Sequence, residues 1–304
     1  MSNVAWYGIA GFELELTLPE GANVAHLLPN AEPFRLSEPT QTPILRLATS
    51  GLSAEEKSEE GTLLSVDRND LGEVRLYRRE RGYYICSGFL DTPYRHHLVL
   101  NEELSQATAE IDWEDPRPGE ALNALLRIGY SLAVLNHQAV SIHASAICHA
   151  GEAILFLGKS GTGKSTHARL WLTHAEACSL LNDDNPTLRW CQDRLMAYGT
   201  PWSGKTPCYR NEGFPVRGIV RLSQAAENRF EPLADQRAFL AVLPSCSLLR
   251  HNEAIEDRFY SLLGQIIATT RVAHLGCRPD REAYLCCHAG LYTTATPKTE
   301  KEEQ

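Results

Sequence analysis

Over roughly the first 115 residues, apolar positions recur with period two. Phe12-Glu-Leu-Glu-Leu-Thr-Leu18 alternates apolar and polar side chains, which predicts a strand buried on one face. Residues 74–77 and 83–86 predict two more strands, joined as a hairpin across Arg81-Gly82. Residues 96–100 and 107–111 are further strand candidates. Neighbours on a strand point to opposite faces, so His96 and His97 read as structural rather than as a pair of ligands. Residues 29–43 hold several prolines and read as irregular, and residues 53–61 as a charged, solvated loop.

Asp115-Pro-Arg-Pro-Gly119 interrupts both helix and ladder and is the best boundary. Beyond it the period lengthens. Leu122, Leu125, Leu126, Gly129, Leu132 and Ala133 fall near one face of a helix predicted over residues 120–136. Strands follow at 140–147 and 153–157, a helix at 164–173 and a strand at 178–181. Residues 188–190 and 195–198 predict a hairpin through Gln192-Asp193, and 216–222 another strand. Helices are expected at 234–243, 253–272 and 280–285. The expected organisation is a β-rich N-terminal domain over 1–115, an α/β domain over 116–293 and a disordered tail over 294–304.

Residues 158–165 read Gly158-Lys-Ser-Gly-Thr-Gly-Lys164-Ser165, the G-x-x-x-x-G-K-S pattern of a phosphate-binding loop, set between a predicted buried strand and a predicted helix. Glycines there let backbone N–H groups close around phosphate oxygens, and the helix N-terminus adds favourable partial charge. Nucleotide contacts are expected from Gly158, Lys159, Ser160, Gly161, Thr162, Gly163, Lys164, Ser165 and Thr166. Lys164 reaches the β/γ-phosphates in such loops, and the Ser165 hydroxyl ligates Mg²⁺.

Composition narrows the partners. The 304 residues carry a net charge of −9 and are 43% hydrophobic, so real cores are possible and a general nucleic-acid binder is disfavoured. No apolar run approaches the length of a membrane span, and the N-terminus lacks the basic start and apolar core of a signal peptide. The nine cysteines are scattered without a C-x-x-C, which suits reduced thiols. A cytoplasmic protein is expected, and a homo-oligomer is compatible with the sequence.

Spacing brings other residues to the loop. A two-residue turn at Ala150-Gly151 sets His149 opposite Glu152, and the same register sets His143 opposite Gly158, at the loop's mouth. A histidine satisfied in the core is the alternative. The helix after the loop descends about 16 Å, and a returning strand of about five residues climbs a similar distance. Asp183 and Asp184 therefore return to the edge that carries the loop. An acid there can hold Mg²⁺ or its waters, and a second acid can accept a proton from an attacking hydroxyl. An Asp-Asn turn before Pro186 accounts for the same residues without chemistry. Residues 198–212 mix turn formers with Trp202, Lys205, Arg210 and Glu212. Lys205 or Arg210 could meet phosphate or an acidic substrate, and Glu212 could join the metal shell. Arg237, Arg250, Arg258 and Arg271 are candidate transition-state cations among which sequence does not choose.

Ser141-Ile-His143-Ala, the loop and Asp183-Asp184, in that order, resemble the HPr kinase/phosphorylase family and its relatives in the phosphoenolpyruvate-carboxykinase-like superfamily. The match covers about 140–186. With Gly199-Thr-Pro-Trp-Ser-Gly-Lys205 it looks like the HPr-kinase-related group. The resemblance implies an α/β fold around a mixed sheet, a P-loop kinase domain preceded by a smaller β-rich domain, with ATP and Mg²⁺ as cofactors and GTP not excluded. It implies that Lys164 and Ser165 serve phosphate and magnesium, that Asp184 is the proton acceptor with Asp183 beside the metal, and that His143 is the active-site histidine. Glu212 is the candidate for a second metal-binding glutamate. The leading expectation is phosphoryl transfer to a hydroxyl on a protein, peptide or metabolite. Ser160-Gly-Thr-Gly-Lys-Ser-Thr166 is worded closer to the carboxykinase version of the loop, which supplies a second reading. A non-catalytic nucleotide-binding regulator is the third.

Overall fold

The computed structural model describes residues 3–68, 72–204, 206–249 and 252–293. The expected tail over 294–304 lies outside the described residues. The fold is mixed α/β, built on two large mixed sheets. The first holds β1 (Asn3–Ile9), β2 (Phe12–Leu18), β3 (Arg35–Leu36), β4 (Leu45–Thr49), β5 (Thr62–Arg68), β6 (Gly72–Arg79), β7 (Gly82–Phe89), β8 (His96–Leu100) and β9 (Gln106–Glu110). Their order is β3-β1-β2-β4-β9-β8-β7-β6-β5, with the β2–β4 and β4–β9 pairs parallel. A short helix, α1 (Val24–Leu27), precedes the stretch expected to be irregular, and a 3₁₀ segment at Pro29–Phe34 occupies part of it. Leu14, Leu16 and Leu18 of β2 are buried, as the alternation requires. His96 is buried with Nε2 3.3 Å from Asp115, and the His97 Nδ1 lies 2.9 Å from the Tyr84 hydroxyl. Burial holds both imidazoles below their ordinary pKa, although Asp115 pulls His96 the other way and Glu110 does so for His97.

Helix α2 (Pro118–Ala133) starts on a proline, whose missing N–H costs nothing in the first turn. Its apolar side packs on the first sheet. A methyl group on Gly129 would come within 3.2 Å of Leu45, so the glycine sets how closely the helix approaches β4. One hydrophobic cluster runs from Ala5 through Leu126 and Leu157 to Val272, joining the first sheet, α2 and the second sheet. No helix among the described residues is long and apolar enough to cross a membrane.

The second sheet is built from β10 (Ala139–Ser141), β11 (Ala144–His149), β12 (Glu152–Leu157), β13 (Cys178–Asp184), β14 (Thr187–Cys191), β15 (Arg194–Tyr198), β16 (Gly213–Gln224), β17 (Arg229–Leu233) and β18 (Arg271–Cys277). Helices α3 (Lys164–His174), α4 (Asp235–Val242), α5 (Glu253–Thr269) and α6 (Arg281–Tyr292) are interspersed among them. Strands β12, β16 and β18 are parallel, while β11 lies antiparallel between β12 and β13. So β12 and β13 point the same way and end at the same edge. The β11–β12 register runs from His149 opposite Glu152 to Ala144 opposite Leu157. Ala150 and Gly151 have φ of 51° and 81°, the left-handed pair that a tight hairpin needs.

Three elements differ from their sequence reading. The stretch 140–147 is not one strand: it breaks at Ile142-His143, where the His143 N–H donates to Ser245 O at 2.7 Å. The helix expected over 253–272 stops at Thr269, and residues from Arg271 form β18, held between β16 and β17. Helix α6 runs to Tyr292, past the expected end at 285.

Helix α3 is anchored by its buried face. Trp171 is fully buried, and its Nε1–H donates to His167 Nε2 at 3.3 Å. The other His167 nitrogen, Nδ1, has no partner among the described residues, and burial pushes this imidazole down to about 4. The unfolded chain takes up a proton near pH 6.5 that the folded chain refuses until about pH 4. Stability from this residue is therefore flat above pH 6.5 and falls as pH drops through that window. Acidifying from pH 7 to pH 5 should cost about 2 kcal/mol through His167 alone. Urea unfolding at both pH values checks this: His167→Leu should remove most of that difference, and an unchanged difference would assign the acid sensitivity elsewhere.

Candidate functional site

The glycine-rich loop joins β12 to α3. Gly161 and Gly163 adopt φ of 78° and 110°, values that side chains resist, and these turns deliver the chain into α3. No side chain caps α3 among the described residues, which leaves its first N–H groups without a side-chain acceptor at the end of the loop. Lys164 folds back over the loop. Its ammonium donates to Gly158 O at 3.0 Å and to His143 Nε2 at 2.7 Å. His143 Nδ1 in turn lies 3.2 Å from Asp184 Oδ1. With Nε2 accepting from Lys164, the ring proton sits on Nδ1 and is donated to Asp184. Lys164, His143 and Asp184 thus form one hydrogen-bonded chain along the sheet edge.

The two aspartates split as adjacent strand residues must. Asp184 is partly exposed toward His143. Burial tends to raise its pKa, but the His143 hydrogen bond, with the charges of Arg127 and Lys164, outweighs that and holds the carboxyl below its ordinary value. Burial pulls the Lys164 ammonium below its ordinary value and Arg221 adds to this, against the opposing pull of Asp184 and Asp183. Asp183 points into the protein. Its Oδ1 accepts from the Ser145 and Ser165 hydroxyls, each at 2.8 Å. Its Oδ2 is buried without a hydrogen-bond partner among the described residues.

Buried Asn182 fixes the strand end. Its Oδ1 accepts from the N–H groups of Asp184 and Asn185 at 3.1 and 2.8 Å. Its Nδ2 donates to Thr200 O and Trp202 O at 3.2 and 3.1 Å. The following loop lies against the aspartates: Gly204 N donates to Asp183 O at 2.8 Å, and Ser203 bridges to Asp184. A Cβ on Gly204 would sit 2.6 Å from Asp183 O, so only glycine allows that approach.

The structure brings His143, Lys164, Ser165, Asp183 and Asp184 together. It does not bring Arg210 and Glu212 to them. Those two pair with each other, and Arg210 also donates to Ser179 Oγ at 2.7 Å and Leu180 O at 2.8 Å, at the start of β13. Lys205 and Arg250 lie outside the described residues. Among the other candidate cations, Arg237 pairs with Glu231, Arg258 donates to Asn136 and Arg271 to the end of α6. Ser145, Asn182, Arg127 and Arg221 escaped the sequence reading. Ser145 had a signal, since it lies two residues from His143 and opposite Asp183 in the ladder.

No protein-family model matches the chain, and no curated protein matches it. Among solved structures, the HPr(Ser) kinase/phosphatase from Coxiella burnetii is similar at 16% identity, with a TM-score of 0.30 over 49% of this chain and 87% of that one. The likeness is weak, and the chemistry of the site rests on its own residues.

Proposed function

We propose that this chain is a Mg²⁺/ATP-dependent phosphotransferase that moves the γ-phosphoryl group to a hydroxyl acceptor on a protein, peptide or small molecule. The site would belong to a phosphoenolpyruvate-carboxykinase-like P-loop domain over about 116–293, behind a β-rich domain over 1–115. The observation that carries the reading is the hydrogen-bonded chain from Lys164 through His143 to Asp184, set beside the Ser165–Asp183 pair.

Backbone N–H groups of residues 158–166 and the Lys164 ammonium would hold the phosphates. An acceptor hydroxyl near Asp184 would lose its proton to that carboxylate, which stays ionised at neutral pH. The acceptor oxygen then bonds to the γ-phosphorus as the bond to the β-phosphate oxygen breaks, leaving ADP. His143 would keep the Asp184 carboxylate turned toward the acceptor. Ser165 and Asp183 would hold magnesium. Both offer hard oxygen donors, and the unpartnered, buried Asp183 Oδ2 is the kind of atom a cation satisfies. When bound, the ion supplies charge neutralisation on the phosphates.

A transfer screen with γ-labelled ATP, with GTP run in parallel, against lysate and metabolites tests the reading. Label that appears in no acceptor, beside tight nucleotide binding, would favour a regulator instead. Asp183→Ala should raise the Mg²⁺ concentration for half-maximal transfer at least about tenfold. A Mg²⁺ titration of a variant shown to be folded by circular dichroism checks this, and an unchanged requirement would remove Asp183 from the metal role.

A further inference from the structure

Arg127 bears on the site described so far only through its charge. It lies on α2, partly buried, with no hydrogen-bond or ion-pair partner among the described residues. Its neighbours on the same helix face are fixed. Asn123, one turn before it, accepts from Trp202 Nε1 at 3.1 Å. Tyr130, nearly one turn after it, packs on the Trp202 ring with centroids 4.9 Å apart and bonds Thr187 Oγ1 at 2.9 Å. Positions i, i+4 and i+7 share one face of a helix, so Arg127 is held between two anchors over Trp202. Trp202 leads directly into Ser203, the residue bridged to Asp184.

The direction of this placement matters. The strands that carry the site lie in the order β16, β12, β11, β13, so Arg221 of β16, opposite Leu157, stands on the loop's side of the sheet and Asp184 ends the strand farthest from it. Asn123 and Tyr130 hold Trp202, and Ser203 meets Asp184, so Arg127 between the two belongs to the Asp184 end of this edge and not to the loop end. A guanidinium beyond Asp184 stands on the side where an acceptor must lie, not on the nucleotide side. A partly buried guanidinium with five N–H donors and no protein partner matches an anion that arrives with a ligand.

We infer that Arg127 binds an anionic group, a carboxylate or a phosphate, carried by the acceptor close to its reacting hydroxyl. This rests on the phosphoryl-transfer reading and narrows it to hydroxyl acceptors bearing an anion. A charge-assisted contact of this kind is worth about tenfold to a hundredfold in acceptor affinity.

The test pairs acceptors that differ in one charge: glycerate and glycerol 3-phosphate, each against glycerol. It uses the full chain, Arg127→Gln and Arg127→Lys, with Mg²⁺. Thermal protection is read with a non-hydrolysable ATP analogue, and transfer with γ-labelled ATP. The wild type should be protected by at least one anion and not by glycerol. Arg127→Gln should lose that protection at least about tenfold, Arg127→Lys should recover part of it, and affinity for the ATP analogue should be unchanged. Which anion protects separates carboxylate from phosphate. No protection of the wild type by either anion overturns the inference, whether or not transfer is seen. Loss of nucleotide affinity in Arg127→Gln also overturns it, by placing the residue on the nucleotide side. Equal transfer to glycerol and to the anions in both proteins overturns it and leaves the kinase reading standing. Protection by an anion without transfer to any acceptor keeps the inferred anion site and removes the kinase reading.

Discussion

Asp184→Asn is expected to cut phosphoryl transfer by about 10²–10⁴-fold while nucleotide affinity stays within about threefold. The amide keeps the shape of the side chain and can still accept the Nδ1 proton of His143, which lies 3.2 Å from Asp184 Oδ1. It cannot take up a proton. Since His143 and Lys164 hold the native carboxyl below its ordinary value against the effect of burial, the wild type carries an ionised base across the neutral range. The stability linked to that ionisation is present above the unfolded carboxyl value and is lost as pH falls through the lower, folded one. Single-turnover transfer, with nucleotide binding measured by calorimetry, separates the two quantities. Equal loss of both would make Asp184 a nucleotide ligand rather than the acceptor's base.

Trp171→Ala carries the largest expected effect on stability, about 3–5 kcal/mol. The indole is fully buried and packs edge-on to Tyr284 at 5.1 Å and His149 at 5.4 Å, with His288 at 5.6 Å. It fastens α3 to α6 and to the sheet, and its loss leaves a cavity that these rings cannot collapse into without breaking their own contacts. The midpoint of thermal unfolding should drop by roughly 6–10 °C. Because the first turn of α3 carries Lys164 and Ser165, nucleotide affinity should weaken in the same variant, whereas Trp171→Phe should show less than half of either effect. A melting curve with and without ATP reads both. Unchanged stability would mean that α3 is held by its loop rather than by its packing.

Much of the site was legible because local spacing determines it. A two-residue turn leaves one register for β11 and β12, and an 11-residue helix followed by a short strand must return to the edge it left. What was not legible depends on contacts distant in sequence. The break before Ala144 arises because Ser245, about a hundred residues later, takes the His143 N–H, and no periodicity near His143 carries that information. Strand β18 follows α5 after a single residue and has partners in β16 and β17, so its apolar residues read as one more turn of helix. Arg210 and Glu212 sit in a loop whose path along β13 is set by hydrogen bonds to Ser179 and Leu180 rather than by local pattern. Arg127 carries no signal in the sequence, because what fixes its neighbours on the helix is Trp202, far along the chain.

Helix α2 faces two ways, with Gly129 against Leu45 of the first sheet and Asn123 and Tyr130 against the loop beside Asp184. Recombination between relatives therefore has no neutral crossover point near it. A junction at the prolines before α2 would pair an inherited helix with a foreign sheet at Leu45. A junction after Gln138 would pair it with a foreign Trp202 loop. Halves exchanged at either point should need compensating changes on the other face of α2 before the hybrid both folds and turns over.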